Sequence, residues 1–127
     1  MEQSSTQIIQ NDIEIIVNDI KEFSDKMENK KFLVVGGRGF IGTYFVKVLE
    51  KLNQYLKTPM KITVIDNLIT AKDKNAYQDS NINFLEEDIS KEIKYSGELD
   101  YIIHAASIAS PPYYRKYPLK TVDVNYQ

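Results

Sequence analysis

Residues 32–42, FLVVGGRGFIG, constrain this chain more than any other stretch. Phe32, Leu33, Val34 and Val35 run without a polar break, the pattern of a strand buried on both faces. Gly36, Gly39 and Gly42 follow at even spacing, with an extra glycine at Gly37. Next, Phe40, Ile41, Tyr44, Phe45, Val48, Leu49 and Leu52 recur three and four residues apart, which predicts an amphipathic helix. A strand, a glycine turn and a helix opening make an anion site. The first helical N–H groups have no partner in the helix, and the helix dipole favours negative charge there. Glycine lets a phosphate approach those N–H groups, where a side chain would hold it away. The G-x-x-G-x-x-G spacing differs from the commoner G-x-G-x-x-G. It is a weak pattern alone and a strong one between a buried strand and a helix. The alternative is a glycine-rich turn that binds nothing.

The remaining composition narrows the class. With 127 residues the chain is one domain by length. A net charge of -2 provides no basic field for nucleic acid. There is no cysteine, hence no disulfide framework or thiolate chemistry, and one histidine does not build a His-rich metal centre. No apolar run approaches the roughly 20 residues of a membrane span. The opening MEQSSTQ lacks a signal-peptide pattern, so a cytoplasmic setting is the default reading.

Residues 1–29 read as a leader helix and residues 30–127 as the main domain. Ile9, Ile13, Ile16, Ile20, Phe23 and Met27 form a heptad-like stripe, and Ser4, Ser5 or Thr6 offers a cap. The stripe either lies on the main domain or makes a subunit contact, with its own copy, which would be a homodimer, or with another chain.

Past the second helix, which should run to about Tyr55 before Pro59, Lys61–Asp66 (KITVID) reads as a second strand. A right-handed strand-helix-strand unit makes it parallel to the first, with both C-terminal ends at one crevice. Asp66 then stands where a carboxylate accepts the two hydroxyls of an adenosine ribose and repels a 2'-phosphate, which selects NAD over NADP. The bland alternative is a turn-forming acid. The polar stretch 68–80 reads as a loop with a short helix, Ile82–Leu85 as a third strand and Asp100–Ala106 as a fourth. Asp88 is either an acceptor for the adenine amino group or a solvated strand-end acid. Ala105, Ala106 and Ser107 are small enough for a cofactor to pass close to the backbone. His104, with no acid near it in sequence, reads as a packed core histidine rather than a catalytic one.

The run HAASIASPPYYRKYPLKTVDVN resembles the extended short-chain dehydrogenase/reductase superfamily of NAD-dependent nucleotide-sugar epimerases and dehydratases, most of all its UDP-glucuronate decarboxylase branch. GGRGFIG and VIDNL match the same family in order and spacing, and the resemblance covers residues 31–127. It implies an α/β fold with a Rossmann-like parallel sheet and flanking helices, present here to about its fourth strand and preceded by the amphipathic helix. It further implies NAD as cofactor and a nucleotide sugar, a UDP-sugar first, as substrate. By the same resemblance Gly36, Gly39, Phe40, Ile41 and Gly42 hold the pyrophosphate. Asp66 and Asn67 hold the ribose, Asp88 and Ile89 flank adenine, and Ala105, Ala106 and Ser107 line the way to nicotinamide. Ser110, Pro111 and Tyr114 approach the sugar. Arg38 and Ala71 depart from the family's usual small residue and glycine; Arg38 either turns to solvent or adds a phosphate contact.

The family's reaction oxidises C4 of the sugar, after which the 4-keto sugar decarboxylates, loses water or epimerises and the hydride returns. That chemistry needs a Tyr-x-x-x-Lys pair, because a phenol near pKa 10 is a poor base unless a cation lowers it. No tyrosine of this chain has lysine four residues on, so no catalytic residue is assigned. Three readings follow: the cofactor-binding part of such an enzyme, a binding module without chemistry, or an assembly piece acting through its leader helix.

Overall fold

The structure is a computed structural model and describes residues 4–69, 77, 79–107 and 111–126. Helix α1 (Ser5–Ile20) opens on Ser4, whose hydroxyl accepts the Gln7 N–H at 3.3 Å. A 3-10 helix (Lys21–Met27) continues it. Strand β1 (Lys31–Val35), helix α2 (Phe40–Asn53), and strands β2 (Lys61–Asp66), β3 (Ile82–Glu86) and β4 (Tyr101–His104) follow, then helices α3 (Pro111–Lys116) and α4 (Pro118–Tyr126). The four strands make one parallel sheet in the order β3-β2-β1-β4. The chain therefore reverses its direction of travel across the sheet between β1 and β4. In open α/β sheets the crevice outside the strand C-termini at such a switch point is where ligands bind.

Burial explains the apolar run of β1. Val34 faces α1 and α2 with Phe32, Ile62 and Val64, while Leu33 and Val35 face the other side with Ile65. Val34 and Ile65 are fully buried, so both faces of the two central strands are covered. On the second face the cover is the irregular segment carrying Ile89, Ile93 and Leu99. Asn53, buried at the end of α2, closes the loop to β2. Its Nδ2 donates to the Met60 carbonyl at 3.2 Å and its Oδ1 accepts the Met60 N–H at 2.8 Å.

Several predicted boundaries and faces shift. The leader is not one helix to residue 29; it tightens to 3-10 geometry after Ile20. Ile9, Ile13, Ile20 and Met27 of the heptad-like stripe pack on the core together with Val17, and Ser24 is buried beside them, whereas Ile16 and Phe23 are exposed. Tyr44 on α2 donates its hydroxyl to Asp12 on α1 at 2.9 Å, fastening the leader to the main domain. The α2 helix stops at Asn53, short of Tyr55, and β4 is only Tyr101–His104. His104 is exposed rather than packed in the core; among the described residues β4 pairs with β1 alone. The short helix read within 68–80 falls largely outside the described residues.

Candidate functional site

The crevice at the C-terminal ends of the strands is lined by Gly36, Gly39, Ile65, Asp66, Asn67, Ile69, Glu87, Ile89, Ala105, Ala106, Ser107 and Val124. Its pieces come from four strand ends and from α4. The turn after β1 starts with Gly36, at φ +78°, and its N–H donates to the Ile65 carbonyl at 2.7 Å. A Cβ at Gly36 would sit 2.5 Å from Ala106 Cα, so the first glycine is needed both for its conformation and for the close pass of the β4 end. A Cβ at Gly42 would collide with the Gly36 carbonyl oxygen, which lets the helix seat directly on the turn. Gly39 caps α2 without any side-chain hydrogen bond. The N–H groups of Phe40, Ile41 and Gly42 have no acceptor among the described residues. These bare amides, with the helix dipole behind them, suit a diphosphate.

Asp66 is 8% exposed, at the end of β2. Its Oδ2 accepts the Arg38 N–H at 2.9 Å, and its Oδ1 accepts the Leu68 N–H at 2.8 Å. Leu68 holds φ +59°, an unusual value for a bulky residue, and Asn67 Oδ1 accepts the Ile69 N–H at 3.1 Å. The carboxylate therefore aims at the crevice from a rigid double turn. A carboxylate has about four lone-pair sites, so two remain for ribose hydroxyls.

The other assigned residues divide. Ala105, Ala106 and Ser107 line the crevice beyond β4, and the Ala105 N–H donates to Val35 at 2.8 Å. Ile89 lines it as well, but Asp88 does not. Asp88 Oδ1 accepts from the Ser90 hydroxyl at 2.7 Å and the Ser90 N–H at 3.0 Å, and its Oδ2 lies 3.8 Å from Lys120. The Ser90 hydroxyl foremost, with the Ser90 N–H and nearby lysines, holds its carboxyl below the usual range despite partial burial. The side chains of Phe40 and Ile41 line an apolar groove and not the crevice. Arg38 does not turn to solvent: its guanidinium lies 4.5 Å from the Tyr77 ring centre and 5.0 Å from that of Phe84. Tyr114 is exposed on α3. Ala71, Ser110 and the side chain of Pro111 lie outside the described residues.

Glu87 and Val124 join the crevice without having been singled out in the sequence. Glu87 follows β3 and its N–H donates to the Asp66 carbonyl at 3.2 Å, a position that a strand-end count would have found. Val124 arrives on α4, and only the packing of that helix brings it there. Among the described residues no group of three or more His, Cys, Asp or Glu side chains gathers for a metal, and no helix is long and apolar enough to cross a membrane.

A parallel sheet with a 3-2-1-4 order and an uncapped glycine turn at its switch point defines a Rossmann-type dinucleotide-binding domain. The chain belongs to the NAD dependent epimerase/dehydratase family, whose model matches residues 32–127. It is 31% identical over 107 residues to UDP-glucuronic acid decarboxylase 1 of Danio rerio, covering 82% of this chain and 24% of that protein. Over 100 residues it is 33% identical to UDP-glucuronic acid decarboxylase 6 of Arabidopsis thaliana, covering 76% of this chain and 27% of that one. The Bordetella bronchiseptica enzyme WbmF in complex with NAD+ superposes with a TM-score of 0.63 at 28% identity, over 77% of this chain and 29% of WbmF. WbmF has also been solved with NADH, and with NAD+ and UDP. The chain thus spans about a quarter of the length of the curated relatives it matches. The family's cofactor is NAD. Helix α1 precedes the matched residues.

Proposed function

We propose that this chain is the NAD-binding portion of a nucleotide-sugar decarboxylase, dehydratase or epimerase that works through transient oxidation of the sugar C4, with a UDP-sugar as substrate. The observation that carries this reading is the single crevice that gathers Gly39, Asp66, Asn67 and Ala105–Ser107 beside the bare amides of α2. The likeness to UDP-glucuronic acid decarboxylases and to an enzyme solved with NAD+ and UDP supports the substrate class.

The residues present fit the cofactor. The Phe40, Ile41 and Gly42 N–H groups would hold its diphosphate, and Asp66 would take the adenosine ribose. Ile89 would flank adenine, and Ala105 to Ser107 would leave room toward nicotinamide. NAD, when bound, supplies a hydride acceptor that can later give the hydride back. This chain's own part is to bind, to orient and, through Asp66, to exclude a 2'-phosphate by charge. Among its 127 residues no tyrosine precedes lysine by four, so these residues alone provide no activated phenol.

Calorimetric titration of the purified chain with NAD and NADP tests the reading. Saturable binding of NAD, weaker binding of NADP and no conversion of UDP-glucuronate are expected. Absence of saturable NAD binding by the folded chain would overturn it.

A further inference from the structure

Helix α1 precedes the residues that the family model matches, yet the leader is tied to α2 and to the loop behind it. At its far end, Glu28 Oε1 accepts the Thr58 N–H at 2.8 Å and the Asn29 N–H donates to the Thr58 carbonyl at 3.1 Å. Further up, Ile13 and Val17 are buried in one core with Val46, Leu49 and Leu52 of α2. The remaining tie is the Tyr44 hydroxyl on the half-buried Asp12 carboxylate. That hydrogen bond, foremost, pushes the Tyr44 phenol above its usual value, so at neutral pH the hydroxyl is a donor. Tyr44 stands on the second turn of α2, directly behind the bare amides. In an α-helix its N–H closes on the carbonyl of Phe40, four residues back. The two rings also pack edge to face, with centres 5.5 Å apart. On its inner side the opening of α2 sits against the Gly36 carbonyl, where Gly42 makes room. On its outer side it is held by Asp12, a residue from outside the strand-turn-helix unit.

We propose that Asp12 is a positioning residue for the dinucleotide diphosphate: through the Tyr44 hydroxyl it fixes the second turn of α2, and with it the aim of the Phe40, Ile41 and Gly42 N–H groups. This rests on the dinucleotide reading given above. The leader helix is then a working part of the anion site, although none of its side chains lines the crevice. The sign of the effect separates positioning from charge. A carboxylate near an anion site opposes the anion, so by charge alone its removal should tighten diphosphate binding or leave it unchanged. Positioning predicts the opposite. Hydrogen bonds are directional, and amides that are no longer held must be ordered when the ligand arrives, which weakens binding.

Calorimetric titration of the full chain with NAD, ADP and adenosine tests this. Asp12→Asn keeps the shape of the side chain. It should weaken NAD and ADP binding about three- to ten-fold and leave adenosine, which has no diphosphate, unchanged. Tyr44→Phe keeps the ring, loses the hydroxyl and should do the same. The double variant should lose no more than either single one, since all three break one contact. Asp19→Asn removes the same charge from an exposed part of α1 and should bind all three ligands as the wild type does. Circular dichroism checks that each variant is folded, and if Asp12→Asn is not, Tyr44→Phe decides. Without ligand, nitrogen-proton NMR spectra should show the Phe40, Ile41 and Gly42 amide signals moved by Asp12→Asn and by Tyr44→Phe but not by Asp19→Asn. NAD affinity of Asp12→Asn at or above that of the wild type, an equal loss for adenosine and ADP, or unmoved amide signals would each overturn the proposal while leaving the dinucleotide reading in place. A folded wild type that does not bind NAD would overturn both.

Discussion

Replacing Asp66 by asparagine separates two duties of one side chain. Asparagine keeps the shape but offers one acceptor oxygen and turns an NH2 group toward the other donor. In the wild type both oxygens are engaged, by the Arg38 N–H at 2.9 Å and the Leu68 N–H at 2.8 Å, at a residue 8% exposed. One main-chain N–H therefore loses its acceptor in a nearly dry site, which costs about 1–3 kcal/mol. For a domain of this size that loss lowers the melting midpoint by roughly 4–12 °C. The ligand effect is separate. Loss of the negative charge weakens the ribose contact and removes the repulsion of a 2'-phosphate, so the preference for NAD over NADP should shrink by about ten-fold or more. Differential scanning calorimetry reads the first effect, and paired titrations with NAD and NADP below the melting range read the second. An unchanged melt would refute the double-turn role of the carboxylate. An unchanged NAD to NADP affinity ratio would remove Asp66 from the ribose position, whatever the melt shows.

Two further outcomes are expected. Gly39→Ala should fold, since its backbone is extended and its Cβ would lie 3.4 Å from the Gly36 oxygen; the methyl group beside the bare amides should cost one charge-assisted hydrogen bond, about 1.5–3 kcal/mol, and weaken NAD binding roughly 10- to 150-fold by calorimetry. The depressed Asp88 carboxyl adds stability that is present above its unfolded value near pH 4 and fades as pH falls through its lower folded value. Ser90→Ala should therefore flatten the fall in urea midpoint below about pH 4, and superimposable midpoint curves for the two proteins would show that the Ser90 contact carries none of it.

The switch from an unbroken apolar run to glycines and then to a 3.6-residue period was enough to announce β1, the turn and α2, because all three patterns are local. KITVID likewise carried β2 with its boundaries. Asp66 could be placed at the crevice from sequence, because a parallel crossover forces the second strand's C-terminus beside the first. What its oxygens do could not be read, since they bond main-chain groups 28 and 2 residues away. His104 fell on the wrong side of the same divide: its apolar neighbours suggest a core, and only the strand order shows that, among the described residues, β4 pairs with β1 alone and leaves His104 exposed. The leader helix kept most of its predicted face, as Ile9, Ile13, Ile20 and Met27 pack on the core, but Val17 and Ser24 lie inward where Ile16 and Phe23 were expected.

From its residues alone this chain declared a parallel α/β domain, a glycine turn opening a helix and an acid at the end of the second strand, since each depends on short spacings along the backbone. Tertiary structure alone decided that Asp88 turns to Ser90 and Lys120, that Glu87 and Val124 enter the crevice, and that Arg38 lies over Tyr77 and Phe84. Those outcomes depend on which side chains from distant segments meet, and helix packing and strand order settle that only when the chain closes on itself.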